Sequence, residues 1–201
     1  MCWSAEVSLN TFLFSSLPIF LCLIFKLYPW RNLIVFLTFY SMQLIEYFLW
    51  KHLNNPKHNR FFSILGLTVI LLLPFFSICT TLYENTFYVL VGYVAFVAVL
   101  LHSFPGRLHT SVAENKHLSW EWMKFPLPAV IIWGLFVSYS SVVAILHGNL
   151  NQLSIIVFIA TMFAFSFYSY YTSNTYGSMW CWIANFSSLY FYYLVAKRFI
   201  L

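Results

Sequence analysis

Ser41-Met42-Gln43-Leu44-Ile45-Glu46-Tyr47-Phe48-Leu49-Trp50 closes an apolar run that opens near Asn32 and ends near Leu53. At ~1.5 Å per residue such a run spans the ~30 Å hydrocarbon core of a bilayer, so the stretch reads as the end of a transmembrane helix. Glu46 is the only acidic residue inside any run of this kind in the chain. On a helix, Gln43, Glu46 and Trp50 fall three and four positions apart and share one face. An ionised carboxylate inside a span is costly, so Glu46 must be protonated, hydrogen-bonded or paired. Where its partners lie organises the reading of the rest.

The composition agrees with a membrane protein. Of 201 residues, 62% are hydrophobic and 7% charged, against roughly 25% charged in soluble domains. So few charges cannot solvate a globular surface. The net charge of +5 does not indicate nucleic acid, because the basic residues stand at the ends of apolar runs and form no stripe. The segment from Met1 to Glu6 lacks a basic n-region and the first run is span-length, so that run is expected to be a true span rather than a secretory signal.

Seven apolar runs follow one another, over residues 7–28, 32–53, 61–81, 86–103, 126–147, 152–172 and 178–199. The expected architecture is therefore all-α: a polytopic membrane protein, with residues 1–201 forming a single domain of seven transmembrane helices. Pro18 is an expected kink, Pro74 lies inside the third run, and Asn54 to Arg60 reads as a polar loop. One loop is sizeable. In it Leu108, Thr110 and Val112 alternate with polar neighbours, as do Leu118, Trp120 and Trp122. That pattern suits a short β-hairpin with one greasy face between helices four and five. An irregular interfacial loop anchored by tryptophans is the other reading.

With seven spans, one membrane face carries the N-terminus and the loops after helices two, four and six. Glu46, Trp50, Trp3, His102, the hairpin-like loop and the head of helix seven, from Ser178 to Asn185, gather at that face. Asn10 and Asn185 lie a turn or two inside it. A polar and aromatic pocket opening there, walled by Glu46 and Gln43 with Trp50, Asn10, Trp180, Trp182, Asn185 and Trp3, is the expected ligand-binding site. The plainer alternative for Glu46 is an interhelical hydrogen bond that only pins the helices, and for Trp180 and Trp182 an interfacial belt. Six basic residues flank this face against four on the other, which favours a cytoplasmic N-terminus. The charges around the first helix, Glu6 before it and Lys26 and Arg31 after it, favour an outside N-terminus and a cytoplasmic C-terminus, and that orientation is the one expected.

His102, His109 and His117 lie in or beside one loop. They lack the close helical spacing of a metal pair, so they are weak metal candidates and read as solvated loop histidines. Cys2 and Cys181 fall at the same face and are the disulfide candidate, although four cysteines allow three pairings. No nucleophile elbow, zinc-protease or phosphate-loop motif occurs. Helix seven holds no interior lysine for a retinal Schiff base and no histidine of the kind used by alkaline ceramidases and adiponectin receptors. A SWEET-like three-plus-one-plus-three repeat is only faint: Leu17-Pro18 is echoed by Leu127-Pro128, but Gln43 and Glu46 have no counterpart in helix six.

Met1-Cys2-Trp3-Ser4-Ala5-Glu6-Val7-Ser8-Leu9-Asn10, Met42-Gln43-x-x-Glu46-x-x-x-Trp50 and Ser178-x-Trp180-Cys181-Trp182-x-x-Asn185 together resemble the signatures of a membrane-protein family found in large DNA viruses of algae and protists and in some of their hosts. The resemblance covers the whole chain. It implies a seven-helix membrane protein and no particular activity. The expectations are thus a transporter, channel or sensor for a small polar or cationic molecule, with the lipid bilayer as partner and no nucleic acid. A membrane-embedded enzyme using Glu46 with a histidine or cysteine, or a structural protein of a viral or host membrane, are the alternatives. No cofactor or oligomeric state is indicated.

Overall fold

The computed structural model describes residues 3–81, 83–103, 107–148 and 151–200, and the side chains of 151–156, 158, 159 and 179–182 lie outside that description. The described residues form α1 (Ala5–Ile24), α2 (Trp30–Lys51), α3 (Pro56–Cys79), α4 (Thr86–Ser103), β1 (Thr110–Val112), β2 (Leu118–Trp120), α5 (Leu127–Val137), α6 (Tyr139–Leu146), α7 (Asn151–Tyr170) and α8 (Trp180–Ile200). The chain is predominantly helical. Among the described residues, α1 to α4 are long and apolar enough to cross a membrane, and α5 with α6 adds a fifth such segment if the pair forms one bent span.

Local chemistry sets the helix ends. Ser4 caps α1, its Oγ accepting from the amide of Val7 at 3.2 Å, with Glu6 in the positive first turn. The helix ends at Lys26, whose φ is +52°. Leu27 N–H there donates to Cys22 C=O at 2.9 Å, the wrap that satisfies a helix's last carbonyls. The expected loop Asn54–Arg60 is shorter than the sequence suggests. Asn55 caps α3 and Pro56 opens it, a pairing that suits a helix start because proline lacks only an amide that would be unbonded there. The fifth apolar run is also corrected: it breaks by 54° between α5 and α6. Ser77 of α3 is buried at the break, donating to Val137 C=O at 2.7 Å while Ser140 N–H donates to Ser77 Oγ at 3.4 Å. A side chain from another helix thus takes up backbone groups that the bend releases.

The two intrahelical prolines are handled alike. Each removes an amide and so frees the carbonyl four residues earlier. For Pro18 that carbonyl is Phe14's, and Tyr192 of α8 donates its hydroxyl to it at 3.0 Å. For Pro74 it is Ile70's, and the indole N–H of Trp133 on α5 donates to it at 3.2 Å. The neighbouring Leu71 carbonyl accepts the hydroxyl of Tyr93 on α4. These aromatic donors replace the missing bonds.

The helices α1, α2 and α3 pack as successive antiparallel neighbours, and α8 returns against α1. Ser15 meets Asn185, Cys22 meets Phe191 and Phe25 meets Phe199, so α1 and α8 run parallel. The buried face of α1 carries Ser8, Thr11, Ser15 and Cys22, small side chains that allow close helix approach. Around this seam lies one apolar cluster of Ile19, Leu33, Tyr40, Ala184 and Phe191. A second, larger cluster joins α2, α3, α5 and the hairpin.

The hairpin forms, antiparallel, with Thr110 opposite Trp120 and Val112 opposite Leu118, but without the single greasy face expected, since Val112 is exposed and Ser119 is buried. It is docked rather than draped on the surface. Asn59 of α3 bonds both backbone groups of Thr110: Nδ2 donates to its carbonyl at 2.8 Å and Oδ1 accepts its amide at 2.9 Å. The Thr110 hydroxyl bonds Ser63 Oγ at 2.8 Å and accepts the Trp122 indole N–H at 3.1 Å. On the far side Asn174 Nδ2 donates to Trp120 C=O at 2.7 Å, and Tyr176 OH donates to Met123 C=O at 2.7 Å. Trp120 and Trp122 stack at 4.8 Å and are almost completely buried. They fill the core instead of anchoring an interface, and Gly66 and Gly177 give them room. A Cβ on Gly66 would stand 3.0 Å from Trp122 Cζ2, and one on Gly177 would overlap the Trp120 ring.

Candidate functional site

Two faces of α2 are buried. Leu33 and Tyr40 belong to the α1–α8 cluster, and Met42, Ile45 and Leu49 to the hairpin–α3 cluster. At about 100° per residue, Glu46 falls roughly 60° round the helix from Gln43 and roughly 40° from Met42, between these faces. Glu46 is 0% exposed and Gln43 1%. The carboxyl therefore sits where the two packing clusters of the molecule meet, not toward lipid.

The helices α1 and α8, which pack against α2, bury polar groups of their own. Ser8 and Thr11 lie on the buried side of α1 in its first three turns. One turn deeper, Ser15 Oγ donates to Asn185 Oδ1 at 3.4 Å. Tyr40 OH lies 2.9 Å from Ser187 Oγ. Because Ser187 spends its proton on Ala184 C=O at 3.0 Å, the tyrosine is the donor. Hydroxyls and an amide thus join α1 to α8 at Ser15–Asn185 and α2 to α8 at Tyr40–Ser187, and Gln43 and Glu46 are buried on α2 one to two turns beyond Tyr40. A neutral wall of this kind hydrogen-bonds a polar solute, and the carboxyl adds a negative charge or a proton.

The expected site residues are placed unevenly. Gln43 and Glu46 are buried together, Trp50 is half-buried on the same helix, and Asn185 is half-buried against Ser15. Asn10 is exposed, on the side of α1 away from Ser8, Thr11 and Ser15, and Trp3 is 51% exposed. The side chains of Trp180, Cys181 and Trp182, and all of Cys2, lie outside the described residues. Cys22 and Cys79 are free thiols, the first buried and the second exposed.

His102 and His109 are exposed and His117 is half-buried, its ring 6.1 Å from that of Tyr170. Burial holds the His117 imidazole below the ordinary histidine range. Among the described residues no three His, Cys, Asp or Glu side chains come together as metal ligands do. An apolar crevice between α2 and α3, lined by Thr38, Phe39, Met42, Val69, Ile70 and Leu73, has no room for a water molecule.

Sequence reasoning did not single out Ser8, Thr11, Ser15, Tyr40 and Ser187, the polar residues along the packing of α1, α2 and α8. The signal was present in α1, where Ser8, Thr11, Ser15 and Cys22 recur at helical spacing in an otherwise large-residue run. Compared with known proteins, the chain matches no protein-family model, no curated protein and no solved structure.

Proposed function

We propose that the chain is a seven-span integral membrane protein that transports, conducts or senses a small polar or cationic solute, with Glu46 as its central polar group. The observation that carries this reading is the complete burial of Glu46 beside Gln43 where the two packing clusters meet. A carboxylate there is costly to retain, and intramembrane acids of this kind mark solute or proton pathways. The count of seven takes α5 and α6 as one bent span and adds α7 and α8, which are 20 and 21 residues long. The parallel packing of α1 and α8 is what an odd number of crossings requires. The solute reaches Glu46 from the face holding the N-terminus and the hairpin, with the N-terminus outside.

The test is reconstitution of the full chain into liposomes, with flux of protons, potassium and choline measured for wild type and Glu46→Gln. Loss of one flux in the variant at unchanged melting temperature is the expected result. If the variant melts lower and no flux or binding of these cations depends on Glu46, the carboxyl is a packing group. The hydrogen bonds Ser15–Asn185 and Tyr40–Ser187 favour that second reading, since they show this seam already pinning helices.

A further inference from the structure

The turn from α2 to α3 concentrates positive charge without balancing it. Lys51, His52, Lys57, His58 and Arg60 stand within ten residues that contain no acid. The nearest carboxylate in sequence, Glu46, is completely buried. The one ion pair among the described residues is Lys124–Glu121, elsewhere. Lys57 lies in the first turn of α3 and Arg60 just past it, and that turn holds no acidic residue. Cations at that end of a helix work against its dipole, so the arrangement is unfavourable until an anion arrives.

The cluster is also placed at a definite depth. One residue past Arg60 the surface turns apolar, with Phe61 53% and Ile64 40% exposed. That is the pattern of a headgroup boundary in a spanning helix. A flat aromatic ledge adjoins the charges: the His52 ring stacks on Phe62 at 5.6 Å, Phe62 stacks on Phe48 at 5.0 Å, and His58 lies 4.8 Å from His52. Charge, depth and ledge together fit a phosphate-bearing headgroup whose glycerol and chains lie along the helix pair.

We propose that Lys51, Lys57 and Arg60, flanked by His52 and His58, form a binding site for the phosphate headgroup of an anionic lipid at the α2–α3 turn. The inference rests on the membrane reading but not on Glu46, so a flux measurement and a lipid measurement fail independently.

The test places the full chain in phosphatidylcholine vesicles doped with fluorescent phosphatidylglycerol or, separately, fluorescent phosphatidylcholine. Energy transfer from the protein's tryptophans reports enrichment of each lipid at its surface. Wild type is expected to enrich phosphatidylglycerol over phosphatidylcholine. Lys57→Gln with Arg60→Gln should reduce the enrichment about fivefold for each cation removed, and Lys51→Gln alone about fivefold. Lys197→Gln with Arg198→Gln, at the far end of α8, should leave it unchanged. Equal losses in both double variants would mean diffuse interfacial charge and overturn the site, as would no loss in the first. Abolition of the wild-type signal by excess inorganic phosphate would overturn the lipid assignment in favour of a free-phosphate site.

Discussion

The hairpin seat and the α1–α2–α8 seam both bury polar side chains, and they do so in opposite styles. In the seat, Asn59 and Thr110 satisfy one another reciprocally at 2.8 and 2.9 Å, and two stacked tryptophans are held in place beside glycines. The bonding groups named there are neutral, and Asn59 meets a strand whose register a β-ladder fixes. In the seam, small hydroxyls bond from helix to helix near the buried acid of α2, and the Ser15–Asn185 bond is long at 3.4 Å. Neutral reciprocal bonds give rigidity and uniqueness of packing. An ionisable group among adaptable hydroxyls supplies a state that a cation or proton can change. On the proposed function, the seat holds and the seam responds.

That contrast breaks most readily at Gly177. Gly177→Ala drives a methyl into the buried Trp120 ring, and a loss of about 3 kcal/mol or more, or failure to accumulate, is expected in thermal unfolding. Gly66→Ala serves as its milder partner, because the flexible Met42 side chain is one of the atoms it meets. Asn59→Ala follows, at about 2 kcal/mol, since it strips both backbone groups of Thr110 of a buried partner. Retention of wild-type melting by this variant would mean that the seat is not the rigid half of the molecule. Tyr192→Phe removes a single interhelical bond to Phe14 C=O, and a denaturation series in mild detergent should register about 0.6 kcal/mol.

A smaller effect depends on pH. Burial keeps the His117 imidazole neutral in the fold more than in the unfolded chain. The unfolded state then binds more protons, so stability is full above the ordinary histidine range near pH ~6.5 and declines as pH falls through and below it. Melting temperatures on either side of that range should show the decline in wild type, and His117→Gln should remove its own share. Smallest in stability is Glu46→Gln, which keeps the shape and a hydrogen-bonding end, and should shift unfolding by under about 1 kcal/mol. A large loss of stability there would make the seam a second seat, and the contrast between the two regions would collapse.

Much of the architecture was legible because long apolar helices obey length and polarity rules. The apolar runs locate α1 to α4 within a few residues, except at the start of α3, where Asn55-Pro56 is itself a helix-start signal. The hairpin was legible from alternation, although the depth of Trp120 and Trp122 was not, because that depends on glycines far away in sequence. The break at Ser138 left no mark in the fifth run. No proline stands there, and the bend is accommodated by Ser77, which is 60 residues away. For the site, the helical spacing placed Gln43 and Glu46 on one face, and both are buried. Asn10 was drawn in by depth alone, and depth does not say which side of α1 it occupies.

The bond from Tyr192 to the carbonyl that Pro18 releases spans 178 residues of sequence. During synthesis, α1 therefore emerges with a backbone oxygen whose partner has yet to be translated. It is α8 that finishes α1. A chain cut short before α8 leaves α1 with an unmet carbonyl one turn before Pro18.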